Sequence, residues 1–146
     1  MQDIHNLISK FANSFDLKDW RGLGETLADG LIANYKDLRG TIGTLSREAF
    51  VQKRIEALNH IKTQHLLTNL EIKKLESSSD QDNNQNYWIR ANGLIIRESH
   101  QSIFHTHAVY EFLIHRDPCF QIYSITQRIL WNEGDSKIHA GVKVNQ

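Results

Sequence analysis

The residue in this chain best suited to moving a proton is His65, within the stretch IKTQHLLTN at 61–69. An imidazole titrates near pH ~6.5, so it can take up and return a proton at neutral pH. The stretch alternates as a strand does, which groups His65 with Thr63, Leu67 and Asn69. Gln64, Leu66, Thr68 and Leu70 fall on the opposite face. Neither face is cleanly apolar, so two readings stay open: a half-buried histidine bonded to a neighbour, or a general base facing a pocket. Such a base works best when an acidic side chain fixes its tautomer and steadies its charged form. Asp16, opening DLKDW, is the natural candidate for that acid. The same motif has the spacing of a helix N-cap followed by an acidic third residue, Asp19, so capping is the competing role for Asp16.

Other residues carry weaker signals. Tyr35 could donate a hydrogen bond into a pocket, or be a structural tyrosine. His105 and His107 share a strand face with Glu111, a spacing compatible with metal ligation but common on strands, and no metal motif surrounds it. If Ala108, Tyr110 and Phe112 face inward, these histidines point outward. Arg90 and Arg97 lie an odd step apart, on opposite strand faces, with solvent exposure expected for both. Trp20, Trp88 and Trp131 read as packing anchors. There is no phosphate-binding loop, dinucleotide fingerprint or serine-nucleophile elbow.

These side chains need elements to position them. Ile4, Leu7, Ile8, Phe11 and Phe15 recur at helical spacing, and a short second helix with Trp20, Leu23 and Leu27 should end near Gly30. LIANYKDL reads as a short strand and RGTIGT as a glycine-bearing loop. Ser46 should cap a third helix with a stripe of Val51, Ile55 and Leu58. From Lys62 the chain turns to four long runs rich in β-branched and aromatic residues. The polar stretch SSSDQDNNQN (77–86) reads as a hairpin loop, and the polar tail at 135–146 as loosely held. Helices followed by antiparallel strands predict an α+β fold in one domain spanning 1–146, with helices on one face of a sheet. Long hairpin-connected strands curl, and a curled sheet closed by three N-terminal helices encloses a pocket.

Composition narrows the function further. The 146 residues carry 17 basic and 17 acidic side chains, so no global field attracts nucleic acid or an anionic membrane. The single cysteine precludes an internal disulfide. No stretch approaches the roughly 20 apolar residues a membrane span needs, and the N-terminus lacks a signal-peptide core. A cytoplasmic location is the expectation.

Two motifs, FDLKDW at the end of the first helix and TQHLLTN in the first long strand, resemble the scytalone dehydratase group. That group lies in the SnoaL-like branch of the nuclear transport factor 2-like superfamily. The ending ILWNEGD is similar to the group's tryptophan-containing final strand, and the element order matches over roughly 2–135. The resemblance implies a cone-shaped α+β half-barrel with a deep pocket. It also implies that Asp16 orients His65 as a general acid/base, with Tyr35 helping to polarise a substrate carbonyl. In the same frame Phe15 replaces a second carbonyl-polarising tyrosine, Leu94 falls near the position of a second pocket histidine, and Ala108 and Tyr110 replace a serine and an asparagine. Trp20, Leu67, Asn69 and Phe112 would complete the pocket lining.

Two functions follow as expectations. One is a small-molecule lyase or isomerase of the dehydratase or cyclase type, acting on an apolar or aromatic carbonyl compound. It needs no cofactor or metal, because the carbonyl is the electron sink. The alternative is a non-catalytic module on the same fold that binds a ligand or a protein. A small subunit of a ring-hydroxylating oxygenase is a third, weaker idea. A homodimer pairing the strand faces of His105, His107 and Glu111 is expected in the first two cases.

Overall fold

A computed structural model describes residues 2–76 and 85–139. The chain begins with helix α1 (Gln2–Asp16) and helix α2 (Trp20–Glu25), then strand β1 (Leu27–Tyr35). A single turn α3 (Lys36–Arg39), strand β2 (Thr41–Leu45) and helix α4 (Arg47–Leu58) follow. Four long strands complete the architecture: β3 (Lys62–Leu75), β4 (Asn86–Ser99), β5 (Ser102–Arg116) and β6 (Phe120–Gly134), ending in a 3₁₀ turn (Ser136–Ile138). All six strands form one curved, unclosed sheet in the order β2-β1-β6-β5-β4-β3. Only β1 and β6 run parallel; the other neighbours are antiparallel.

Helix α1 buries Ile4, Leu7, Ile8, Phe11 and Phe15 as its spacing predicts, and packs on β3. Each large apolar side chain withdrawn in this way contributes about 1.5–3 kcal/mol. The facing sheet surface supplies Ile89, Ala91, Ile95, Ala108, Phe112, Ile114 and Ile125 to the same core. The α+β reading and the four long strands therefore hold.

Several local expectations change. There are four helices among the described residues, because α3 interrupts what was read as the end of the first strand. RGTIGT is not a loop: Gly40, at φ 75°, caps α3, and the residues after it pair with β1 from Tyr35↔Thr41 to Leu31↔Leu45. Only a residue without a Cβ takes that left-handed turn cheaply. The second helix stops at Glu25 instead of Gly30. Ser46 does cap α4, accepting from the Ala49 N–H at 3.1 Å. The buried stripe of α4 is Phe50, Arg54, Ala57 and Leu58, with Val51 and Ile55 half-buried beside it.

The described start of the tail is held down. The Asp135 N–H donates to the Ile103 carbonyl at 2.8 Å, and His139 is buried. The remainder of the predicted loop, 77–84, and of the tail, 140–146, lies outside the described residues.

Candidate active site

Asp16 occupies the last turn of α1. The helix stops there because Lys18 adopts a left-handed conformation, φ 56°. The Asp19 N–H reaches back to the Ser14 carbonyl (2.9 Å) and the Lys18 N–H to that of Phe15 (3.3 Å), the pair of bonds that closes a helix C-terminus. Lys18 then donates its Nζ to the Leu58 carbonyl at the end of α4, at 2.7 Å. Capping of α2 falls to Asp19, whose Oδ1 accepts from the Gly22 N–H at 2.9 Å. Asp16 is therefore free of the capping role. It sits at the negative end of a helix dipole, where a carboxylate is disfavoured.

What holds Asp16 in that position is β3. The carboxylate Oδ1 meets His65 Nδ1 at 2.7 Å and accepts from the Thr63 hydroxyl at 3.1 Å. Oδ2 accepts from the backbone N–H of His65 at 2.8 Å. Strand β3 is a sheet edge, so this N–H would otherwise lack a ladder partner. The two side chains are only 8% (His65) and 17% (Asp16) exposed. A carboxylate only accepts, so Nδ1 must carry the proton and the Nε2 of neutral His65 is a bare lone pair. Among the described residues Nε2 has no hydrogen-bond partner. Phe15 stacks on the ring at 4.6 Å. Burial pushes the His65 pKa below its ordinary value; Asp16 opposes that shift, and the positive charge of Arg97 reinforces it.

The inner face of the sheet follows from register. His65 pairs with Ile95, which pairs with Thr106; Leu67 pairs with Gly93, which pairs with Ala108. Leu67 is half-buried, while Ala108, Tyr110 and Phe112 are buried on this face. His105 and His107 lie on the outer face, where His107 stacks on Trp131 at 4.0 Å. Tyr110 lies over Gly93, where an added Cβ would come within 2.5 Å of its ring. Its hydroxyl accepts from Gln127 Nε2 at 2.8 Å, and burial raises its pKa.

Three predicted lining residues are elsewhere. Asn69 is exposed, because a bulge between Thr68 and Glu71 puts it at φ 56° and breaks the alternation that grouped it with His65. Leu94 pairs with Leu66 and His107 on the outer face, opposite in parity to Ile95. Trp20 flanks a surface cleft between α2 and α4 and donates its indole N–H to Asn59 at 3.1 Å.

Tyr35 lines a partly open cavity of about 280 Å³ bordered by β1, α3, β2 and α4. His65 is not among its lining residues. The structure thus brings Asp16, Phe15 and His65 into contact, while Tyr35 faces this cavity.

Sequence reasoning missed three arginines. Arg97 is 2% exposed; it shares parity with Ile89, Ala91 and Ile95, a signal available in the sequence. Its Nη1 donates to the Thr106 hydroxyl at 2.8 Å while its Nε is sealed without a partner. Arg54, four residues from both Phe50 and Leu58 on one helix face, is buried with its guanidinium over the rings of Tyr35 (4.5 Å) and Phe50 (4.2 Å). Arg39 is half-buried, with its Nη2 sealed and unpartnered.

No family model matches the chain, and no curated protein matches it. Solved structures do. A protein from Novosphingobium aromaticivorans, provisionally named an aromatic ring hydroxylase, is 13% identical with TM-score 0.78, covering 94% of each chain. A protein from the same organism, provisionally named a scytalone dehydratase, is 14% identical with TM-score 0.75, over 92% of this chain and 87% of that one. A hexachlorocyclohexane dehydrochlorinase is 18% identical with TM-score 0.69, over 94% and 90%. An NTF2-like protein with a cystatin-like fold, also from Novosphingobium aromaticivorans, matches with TM-score 0.68. The chain has the NTF2-like fold. Within that fold the curved sheet and α1 are what bring Asp16 to His65. No helix among the described residues is long and apolar enough to cross a membrane.

Proposed function

We propose that the chain is a cofactor-independent lyase or isomerase acting next to a carbonyl. The observation that carries this reading is the 2.7 Å contact between Asp16 and His65 Nδ1, which leaves Nε2 as a free base. Nε2 takes the proton α to the carbonyl, and the C–H electron pair moves into an enolate. The enolate then expels a β-hydroxide as the C–O bond breaks, and the proton held on Nε2 leaves with it as water. In the isomerase variant the same proton returns to a different carbon. Tyr35, whose ring is buried at the cavity wall, would donate to the enolate oxygen. Asp16 stabilises the imidazolium while it exists.

Proton exchange can be tested without the natural substrate. A panel of aryl ketones and β-hydroxy carbonyl compounds is incubated in D₂O, and α-deuteration and water loss are followed by NMR. The reading expects exchange with the wild type and its loss in His65→Asn, which keeps a donor to Asp16 but deletes Nε2. Equal exchange by both proteins would falsify it.

One observation favours the alternative of a binding module. Tyr110 and Phe112 stack at 5.7 Å in the middle of the inner face, and the lining of the cavity beside Tyr35 does not include His65. Ligand binding without exchange across the panel would decide for it. Either reading includes a homodimer through the outer sheet face, where Leu66, Ile103, Leu130 and Trp131 are exposed. Light scattering that gives a monomer mass at micromolar concentration would remove that part.

A further inference from the structure

The cavity beside Tyr35 has an unusual charge balance. Its nine lining residues include Arg39, Lys53 and Arg54 and no aspartate or glutamate. The acids nearest in sequence, Asp37 and Glu56, are already engaged, accepting from the Ile129 N–H at 3.1 Å and from Gln52 Nε2 at 3.3 Å. No ion pair among the described residues involves Arg39, Arg54 or Arg97. Arg54 is held by two aromatic faces, which stabilise a cation without neutralising it. Arg39 keeps a sealed, unpartnered Nη2, and Arg97 a sealed, unpartnered Nε.

A buried guanidinium without a counter-charge is expensive, and unpaired buried donors add to the cost. The strain registers in the groups themselves. Burial lowers the Arg39 pKa to about 9, with Arg54 as the next contributor and Arg97 also adding to it. Arg97 in turn acts on His65 and on Tyr110. Arg97 therefore bears on both Arg39 at the cavity and His65 in the pair.

We infer that this cavity is an anion site which takes the carboxylate of a small organic acid. Guanidinium forks match the planar two-oxygen face of a carboxylate. The walls distinguish an organic acid from a bare inorganic anion: Ala33, Ile42 and Leu45 line the same space and offer an apolar surface to the rest of the molecule. The volume of about 280 Å³ suits a small molecule. The substrate class that results is a carbonyl compound that also bears a carboxylate, anchored by Arg39 and Arg54. Its assignment as substrate rests on the lyase reading of His65; the anion site itself does not.

The test uses the intact protein and three probes: benzoate, its neutral isostere benzamide, and inorganic phosphate. Titration calorimetry and thermal shifts should give saturable binding of benzoate and none of benzamide. Arg54→Gln should weaken benzoate about tenfold, the worth of one charge-assisted contact. Should that variant not fold, Lys53→Gln replaces an exposed residue on the rim and should weaken benzoate about threefold. Equal binding of benzoate and benzamide, tighter binding of phosphate, or undiminished affinity in a folded variant overturns the inference. His65→Asn separates the two proposals, because it should retain benzoate affinity whether or not α-proton exchange is lost. Failure of exchange with benzoate binding intact sinks only the lyase reading.

Discussion

Replacing Asp16 with Asn tests the geometry of the pair with little change of shape. The carboxylate accepts hydrogen bonds at 2.7, 2.8 and 3.1 Å from His65 Nδ1, the His65 N–H and the Thr63 hydroxyl. An asparagine can keep its oxygen on the His65 N–H, which turns its NH₂ towards Nδ1. Nδ1 must then accept, and the imidazole proton moves to Nε2. Bonds to a charged acceptor are worth about 1.5–3 kcal/mol and neutral ones about 1, so at the lower end of that difference the three weakened bonds together cost about 2 kcal/mol. Relief at the helix C-terminus returns about 0.5 kcal/mol. For a domain of this size the net loss should lower Tm by about 5 °C. The proton transfer should suffer far more, about 10³- to 10⁴-fold, because the base nitrogen is now blocked. Long-range ¹H–¹⁵N spectra of the imidazoles read the tautomer directly, with His65 assigned by its absence in His65→Asn. The wild type should have a protonated Nδ1 and a bare Nε2, and Asp16→Asn the reverse. A wild-type His65 protonated on Nε2, or a tautomer unchanged by the substitution, would refute the reasoning.

Three further outcomes are expected. Burial lowers the His65 pKa, so below the ordinary value of ~6.5 the unfolded chain binds a proton that the fold resists. Its contribution to stability is therefore present above that value and lost as pH falls through the lower folded one; urea midpoints should drop more steeply with acid in wild type than in His65→Asn, and identical slopes would count against this. Arg97→Met removes a guanidinium held at about 10 against an ordinary 12.5, a cost of about 3 kcal/mol at neutral pH. Loss of the Thr106 bond offsets about 2 kcal/mol of that, so Tm should rise by a few degrees, and a fall would show that Arg97 supports the ligand-free fold. Gly93→Ala sets a methyl group 2.5 Å from the Tyr110 ring, which is itself tied to Gln127; calorimetry should record about 1–3 kcal/mol of destabilisation, and a neutral result would mean that the ring moves freely.

The long strands are legible because β-branched and aromatic runs bounded by turns have few other stable forms. The buried face of α1 is legible for the same local reason, since apolar residues at helical steps must share a side. Alternation also explains the outward histidines at 105 and 107 once Ala108, Tyr110 and Phe112 turn inward. It fails at Asn69, where one extra residue in β3 reverses the parity that follows. The Thr41–Leu45 stretch gives no strand signal of its own, and only its pairing with β1 makes it one. Arg97 was readable by parity with Ile89 and Ile95, but charge argued for solvent, and only the closed interior shows which consideration prevails.

The α+β class, the buried face of α1, the four long strands and a histidine placed mid-strand follow from the sequence alone. Those are short-range properties, set by backbone geometry and by where each side chain points relative to its neighbours. The tertiary structure decided which acid meets His65, since Asp16 lies 49 residues away. The contact needs both the left-handed stop at Lys18 and the open edge of β3. It also decided that Arg39 and Arg54 share a cavity with no acid among its described lining residues. Curling the sheet brings distant residues together without regard to local pattern, so neither the Asp16–His65 pair nor the arginine cavity follows from short-range spacing.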